Sequence, residues 1–403
     1  MGKNGMSARS LELIGVLCLT TACVVQCLGQ PPSPRERQRQ SALALEQQGD
    51  AVGAEAAWRS LLATQPNSAE AYAHLGLLEA RQEHYKEAIT LYHKGLSLNP
   101  NFPSLRINLG LSLFKSGDLR GAIQAFEPAL KTEPKSSPQA LRLVTLIGMA
   151  HFGLGNYAAA IPYLKQAAAG DPENLQLRMN LAQSCLWSKQ YQCVVDTYHE
   201  ILSLNAESAE ADMLLGEAYN EMENDAGALT EFQAAVKAGP TTPNVHFGYG
   251  YLLWKALKFD EAEKEFQAEL ANNPEHALSL AYLGDSEIRL KHPDDAVKDL
   301  EHAVRIQPSI PIAHLDLGIL YGDQGRKDDA LRELLIAVKL TPEDSMVHWR
   351  LGRFYQSVGR KEDAKAEFDK TRSLQHSKEQ SLQDKLHQAD ALPTSPKVEN
   401  EPR

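Results

Sequence analysis

The sequence predicts an all-α fold, a solenoid of tandem helix-turn-helix units, and three observations carry that prediction. The chain has 403 residues, more than one hydrophobic core usually organises. Its composition is 43% hydrophobic and 23% charged, and it is rich in Ala, Leu, Glu, Gln and Lys, residues that lose little on entering a helix. Its prolines recur with a fixed period: Pro66, Pro100 and Pro134 lie 34 residues apart. After a four-residue insertion around Ser137 and Pro138 the series resumes at Pro172, Pro240, Pro274, Pro308 and Pro342, with Ala206 in a proline's place.

The N-terminal segment has a character of its own. Lys3 and Arg9 precede an uncharged run from Leu13 to Gly29, the pattern of an export signal. The run contains Thr20, Thr21 and Gln26 and is short for a spanning helix, so residues 1–29 read as a signal peptide cleaved after Cys27-Leu28-Gly29. A retained membrane anchor is the alternative. Leu19-Thr20-Thr21-Ala22-Cys23 resembles a bacterial lipobox, departing from it at Thr20, and keeps lipidation at Cys23 open. Residues 30–34, with Pro31, Pro32 and Pro34, read as a stiff spacer. Three of the five cysteines lie in the signal segment, so a processed chain keeps Cys185 and Cys193, on successive helices of one unit. A hairpin disulfide and two small buried side chains are both open readings.

Two further series sit inside the proline period. Gly76, Gly110, Gly148, Gly216, Gly250, Gly284, Gly318 and Gly352 each stand eight residues into a unit. Ala54, Ala88, Ala122, Ala160, Ala228, Ala262, Ala296, Ala330 and Ala364 form the second series, with Trp58, Tyr92, Phe126, Phe232, Phe266 and Phe368 four residues later. This spacing predicts two antiparallel helices in contact, the first carrying Leu-Gly and the second Ala and an aromatic. A side chain added at such a contact typically costs about 1–3 kcal/mol, which outweighs the helix penalty of glycine. Gly117-Asp118, Gly155-Asn156, Gly325-Arg326 and Gly359-Arg360 mark the turns, and the closing proline ends each second helix.

The pattern resembles the tetratricopeptide repeat, most closely in units such as Ala313 to Pro342. The resemblance implies a right-handed superhelical solenoid. Ten units tile the chain at 35–68, 69–102, 103–136, 141–174, 175–208, 209–242, 243–276, 277–310, 311–344 and 345–378. The match is poorest in the first unit, with Ala42 for the glycine, in the fifth, with Ala182, Val194 and Ala206, and in the tenth, where His376 replaces the closing proline. Terminal units face water on one side, so departures there are expected. Residues 379–390 read as a capping helix and 391–403 as a disordered polar tail.

The repeat leaves little chemistry over. A net charge of −11 and a pI near 5.7, without a basic cluster, exclude broad capture of nucleic acid. His199-Glu200 lacks the second histidine of a zinc-protease helix, and Gly248-Tyr249-Gly250 lacks a third glycine. No phosphate loop, metal-ligand spacing or nucleophile motif stands out, so the chain reads as a non-enzyme with no cofactor or metal and no catalytic residue. The resemblance supplies two further tests. Repeats that clamp a C-terminal carboxylate carry Lys and Asn where this chain has Ile107, Leu111, Met179 and Gln183. Repeat-bearing glycosyltransferases carry an asparagine ladder of which only Asn108 and Asn180 are present.

In the family, positions 2, 5, 9, 12 and 13 of the unit line the concave surface. Here they are apolar in stretches: Ile107, Leu111 and Phe114, then Met149 and Phe152, Met179, Leu186 and Trp187, Phe247, Tyr251 and Trp254, and Trp349. Exposed aromatic surface of this extent marks a binding face, and packing against the next unit is the alternative for any single side chain. Glu210, Glu217, Asn220 and Glu221 make the sixth unit acidic, and Arg350 with Arg353 makes the tenth basic. The expected partner is a protein or peptide with basic and apolar residues lying along units five to seven, bound to a scaffold exported to the periplasm, the cell envelope or the medium. Membrane contact is expected only through an uncleaved or lipidated N-terminus. A non-catalytic regulatory or targeting subunit of an enzyme complex and a glycan-binding envelope protein are the alternatives.

Overall fold

A computed structural model describes residues 33–102, 104–204 and 208–390, so the signal segment, the start of the spacer, Ala206 and the tail at 391–403 lie outside the described residues. The chain is 81% helical, with twenty helices and no strand among the described residues. It divides into two compact units, one ending at Ser116 and one beginning at Gly117.

The first unit holds α1 (Pro34–Gln48), α2 (Ala51–Thr64), α3 (Ala69–Arg81), α4 (Tyr85–Leu98) and α5 (Leu105–Lys115). Pro34, expected in the spacer, is the first residue of α1, where its fixed φ suits a helix start; Ser33 caps it by accepting the Glu36 amide. The core of this unit gathers Ala42, Ala54, Trp58, Leu61, Ala71 and Leu75. Ala42 fills the position that glycine holds in other units, and it is fully buried.

The second unit begins with α6 (Leu119–Thr132), followed by α7 (Pro138–Gly153) with α8 (Tyr157–Gly170) and α9 (Leu175–Trp187) with α10 (Tyr191–Leu204). It continues through α11 (Ala209–Glu221) with α12 (Asp225–Ala238) and α13 (Val245–Lys255) with α14 (Phe259–Asn272). The last pairs are α15 (Ala277–Leu290) with α16 (Pro293–Ile306), α17 (Pro311–Asp323) with α18 (Lys327–Leu340), and α19 (Ser345–Ser357) with α20 (Lys361–Asp390). Within this unit each helix from α6 to α20 packs on its neighbours in sequence, and the first helices of successive pairs, from α7 to α19, also touch one another. They form the inner layer.

The small-residue series does what its spacing implies. A Cβ on Gly284 would lie 2.5 Å from Leu300 Cγ, and one on Gly216 would lie 2.6 Å from the Phe232 ring. Ala228, Ala262, Ala296 and Ala330 are wholly buried beside them. In the fifth pair Val194 takes the alanine position and is equally buried.

The turn inside each pair is left-handed. Gly49, Gly117, Gly155, Gly325 and Gly359 have positive φ, and Glu83, Lys189, Glu223, Leu257 and Lys291 occupy the equivalent position with φ near 60° in the remaining pairs. The capping helix expected at 379–390 is continuous with the second helix of the tenth unit, because no Gly or Pro interrupts Lys361–Asp390. Among the described residues no helix is long and apolar enough to cross a membrane.

Candidate functional site

The second unit carries a cavity of about 650 Å³ on its inner layer. α9, α11 and α13 supply its walls, and His276 and Leu278 close it at the start of α15. Met213, Phe232, Phe247, Gly248, Tyr251 and Leu252 make an apolar floor, while Glu217, Asn220, Glu221 and Lys189 give it a polar rim. Gly248 lies directly against the Phe232 ring, which leaves no room there for a Cβ.

One wall is held by a covalent staple. Cys185 and Cys193 are joined by a disulfide across the α9–α10 turn, with Cα atoms 5.7 Å apart. The turn it closes presents Leu186, Trp187, Lys189 and Tyr191 to the cavity. Trp187 is 48% exposed, and its ring lies 4.4 Å from Tyr157 and 6.2 Å from Phe152, centroid to centroid. These three rings extend the aromatic surface from the cavity to α7 and α8.

The polar groups are unequally satisfied. Tyr191 Oη donates to Glu221 at 3.1 Å, Lys255 Nζ donates to Asn220 at 2.8 Å, and the His276 ring, which caps α15, pairs with Ser279 at 2.7 Å. Among the described residues Glu217 makes no hydrogen bond or ion pair. Its carboxylate reaches solvent within a concave surface; crowding by the surrounding protein raises its pKa, and the charge of Glu221 raises it further.

The inner-layer residues expected to bind fall into three groups. Trp187, Glu217, Phe247 and Tyr251 line the cavity together. Trp254 does not: its indole donates to Asp285 Oδ2 at 2.6 Å and packs edge-on to Tyr282 at 4.9 Å, so it supports the Phe247–Tyr251 wall from behind. Asp285 is itself buried beside Asp316, whose carboxyl is raised well above the carboxylate range by burial and by Asp285. Phe152 reaches the cavity only through Trp187, and Met179 packs half-buried on Tyr198 and Leu215. Met149, Trp349 and Arg353 lie elsewhere on the second unit, all exposed, with the Arg350 and Arg353 guanidinium carbons 5.1 and 5.5 Å from the Trp349 ring. Ile107, Leu111 and Phe114 are half-buried on α5 of the first unit.

Met213 and Leu278 occupy positions 5 and 2 of their units, so the positional rule that marks Phe247 marks them too. Lys189, Tyr191 and His276 follow no such rule, because turn geometry and a helix cap bring them in.

Tetratricopeptide repeat models match residues 79–147 and 151–192, and 39–103, 195–243, 249–311 and 315–373. The chain is 25% identical over 202 residues to the BBSome complex member BBS4 of Bos taurus, covering 50% of this chain and 38% of that protein. It is 28% identical over 156 residues to the protein O-mannosyl-transferase TMTC1 of Mus musculus, covering 38% of this chain and 16% of that one. The chain thus spans well under half the length of both relatives. A solved tetratricopeptide repeat protein from Parabacteroides merdae aligns with a TM-score of 0.48 at 19% identity, over 62% of this chain and 97% of that one. Arrays of this fold are scaffolds for protein–protein interaction and subunits of complexes. With its period, its buried small-residue series and these matches over most of its length, the chain belongs to the tetratricopeptide repeat family.

Proposed function

We propose that this protein is an exported, non-catalytic scaffold that holds a segment of another protein in the inner groove formed by α9, α11 and α13. The observation that carries the reading is the cavity itself, an apolar floor of Met213, Phe247 and Tyr251 beside a half-exposed Trp187, since aromatic surface left open on a folded protein is characteristic of partner sites. The uncharged run from Leu13 to Gly29 supports export, as does the disulfide between Cys185 and Cys193, which persists in oxidising compartments. The similarity to a BBSome complex member favours a subunit of a larger assembly as the setting in which such a groove acts.

Crosslinking in intact cells followed by affinity capture tests this reading, comparing the native chain with a Phe247→Ala/Tyr251→Ala variant whose helicity is first checked by circular dichroism. A stoichiometric partner captured by the native chain and lost with the variant is the expected result. Identical captures would move the site off the groove. N-terminal sequencing of the protein isolated from cells tests export separately: a start at Gln30 is expected, and a start at Met1 in a soluble fraction contradicts it.

A further inference from the structure

We infer that the groove of the second unit recognises a lysine or arginine side chain, with Glu217 as its counter-charge and the Phe247–Tyr251 wall as the seat of its aliphatic stem. This rests on the groove reading above and specifies what the groove selects.

Glu217 is the starting point. It points from the middle of α11 into the cavity, and among the described residues nothing donates to it. Its neighbours on the rim are already engaged, Glu221 by the Tyr191 hydroxyl and Asn220 by Lys255. A carboxylate crowded by protein and facing a second carboxylate is held at a disadvantage in its ionised form, as the raised pKa of Glu217 reflects. A cation entering from the partner removes that disadvantage; an anion or a carboxylate terminus adds to it.

The walls narrow the choice of cation. Phe247 and Tyr251 sit one turn apart on α13 with centroids 6.3 Å apart, and they present ring surface to the same cavity. Long basic side chains bury their methylene stems on such surfaces while the charged head stays near water and an acid, and the ring faces attract the head as well. A bare metal ion gains nothing from the aromatic floor, and among the described residues no group of three or more metal-ligating side chains surrounds the site. Lys189 and Lys255 stand at the rim, but Lys255 is already paired with Asp225 at 2.9 Å, so Glu217 and Glu221 oppose Lys189 alone and the balance of charge at the cavity is negative. Charge and shape therefore agree on a basic residue flanked by apolar ones.

The test is a selection from a phage-displayed random dodecapeptide library on the intact protein, in parallel on wild type, Glu217→Gln and Phe247→Ala/Tyr251→Ala, followed by fluorescence anisotropy of the recovered peptides. Glu217→Gln keeps size and helix propensity, and circular dichroism checks that the variant is folded. Wild type is expected to enrich Lys or Arg at one fixed position beside an apolar residue. Glu217→Gln is expected to lose that enrichment and to bind the wild-type peptide at least tenfold more weakly, and added salt is expected to weaken binding to wild type more than to Glu217→Gln. Peptides selected without a fixed basic residue, bound equally by Glu217→Gln but not by the Phe247/Tyr251 variant, would overturn the cation assignment and leave the groove standing. Peptides bound equally by all three proteins, or no selection at all, would overturn both.

Discussion

Gly318 has no room for a methyl group: a Cβ there would lie 2.6 Å from Leu334 Cγ and 3.2 Å from the Leu334 backbone nitrogen. Gly318→Ala is expected to lower stability by about 1–3 kcal/mol, read from the urea midpoint of unfolding. The left-handed turns offer the opposite case. Leu257 holds φ at 61° with its side chain 73% exposed, so Leu257→Gly relieves backbone strain and loses little packing. It is expected to raise stability by up to about 1 kcal/mol, and an unchanged or lower melting temperature would show that the turn is not strained. These two positions also show what the sequence reveals and what it hides. Gly318 was legible because the same small residue recurs at one register in eight units. Leu257 was not, since leucine gives no turn signal of its own and only comparison with Gly325, two repeats on, exposes its role.

Within the helix pairs, the second unit contains groups whose protonation differs between folded and unfolded chains. His314 sets Nδ1 2.7 Å from a Glu333 carboxylate oxygen and Nε2 3.0 Å from the Pro308 carbonyl, two acceptors that together favour the doubly protonated ring. Burial works against that charge, but the bonds to Glu333 and Pro308 outweigh it and raise the pKa above 6.5. Glu287, on α15, is pushed up to about 8 by burial and by Asp299, Asp295 and Glu263, with Lys298 opposing. Both His314 and Glu287 have folded values above their unfolded ones. Their stabilisation is complete below the unfolded value and is lost as pH rises through the folded one. Stability of the second unit is therefore expected to fall from pH 5 to pH 8, by about 1.4 kcal/mol per pH unit for a fully coupled Glu287. Glu287→Gln is expected to flatten much of that slope in chemical denaturation at several pH values; an unchanged slope would remove Glu287 as its source. The α9–α10 turn supplies a further case. Removing the disulfide by Cys185→Ala/Cys193→Ala is expected to cost about 2–4 kcal/mol and to loosen the wall that carries Trp187 and Tyr191, measurable as unfolding at lower urea and faster amide exchange on that turn.

Across the whole chain, the periodic features were legible in the sequence and the aperiodic ones were not. The helix pairs follow from a 34-residue register that repeats often enough to be unmistakable. The groove was legible only in part. Inner-layer positions place Phe247, Tyr251, Trp187 and Glu217 on one surface, but whether a ring faces the cavity or its neighbour depends on contacts from the next pair. Trp254 illustrates this, because Asp285 and Tyr282, 31 and 28 residues further on, turn it into a support. Lys189, Tyr191 and His276 were hidden for the complementary reason, since they reach the cavity from a turn and a cap.

A partner seated in the cavity of the second unit is within reach of site-specific photocrosslinking in cells. A photoreactive amino acid replaces Trp187 or Met213 at the cavity, or Leu335, which is 46% exposed on α18, a second helix outside the inner layer. One discrete crosslinked partner is expected from positions 187 and 213 and none from position 335. A partner captured from position 335 alone would contradict a seat in the cavity.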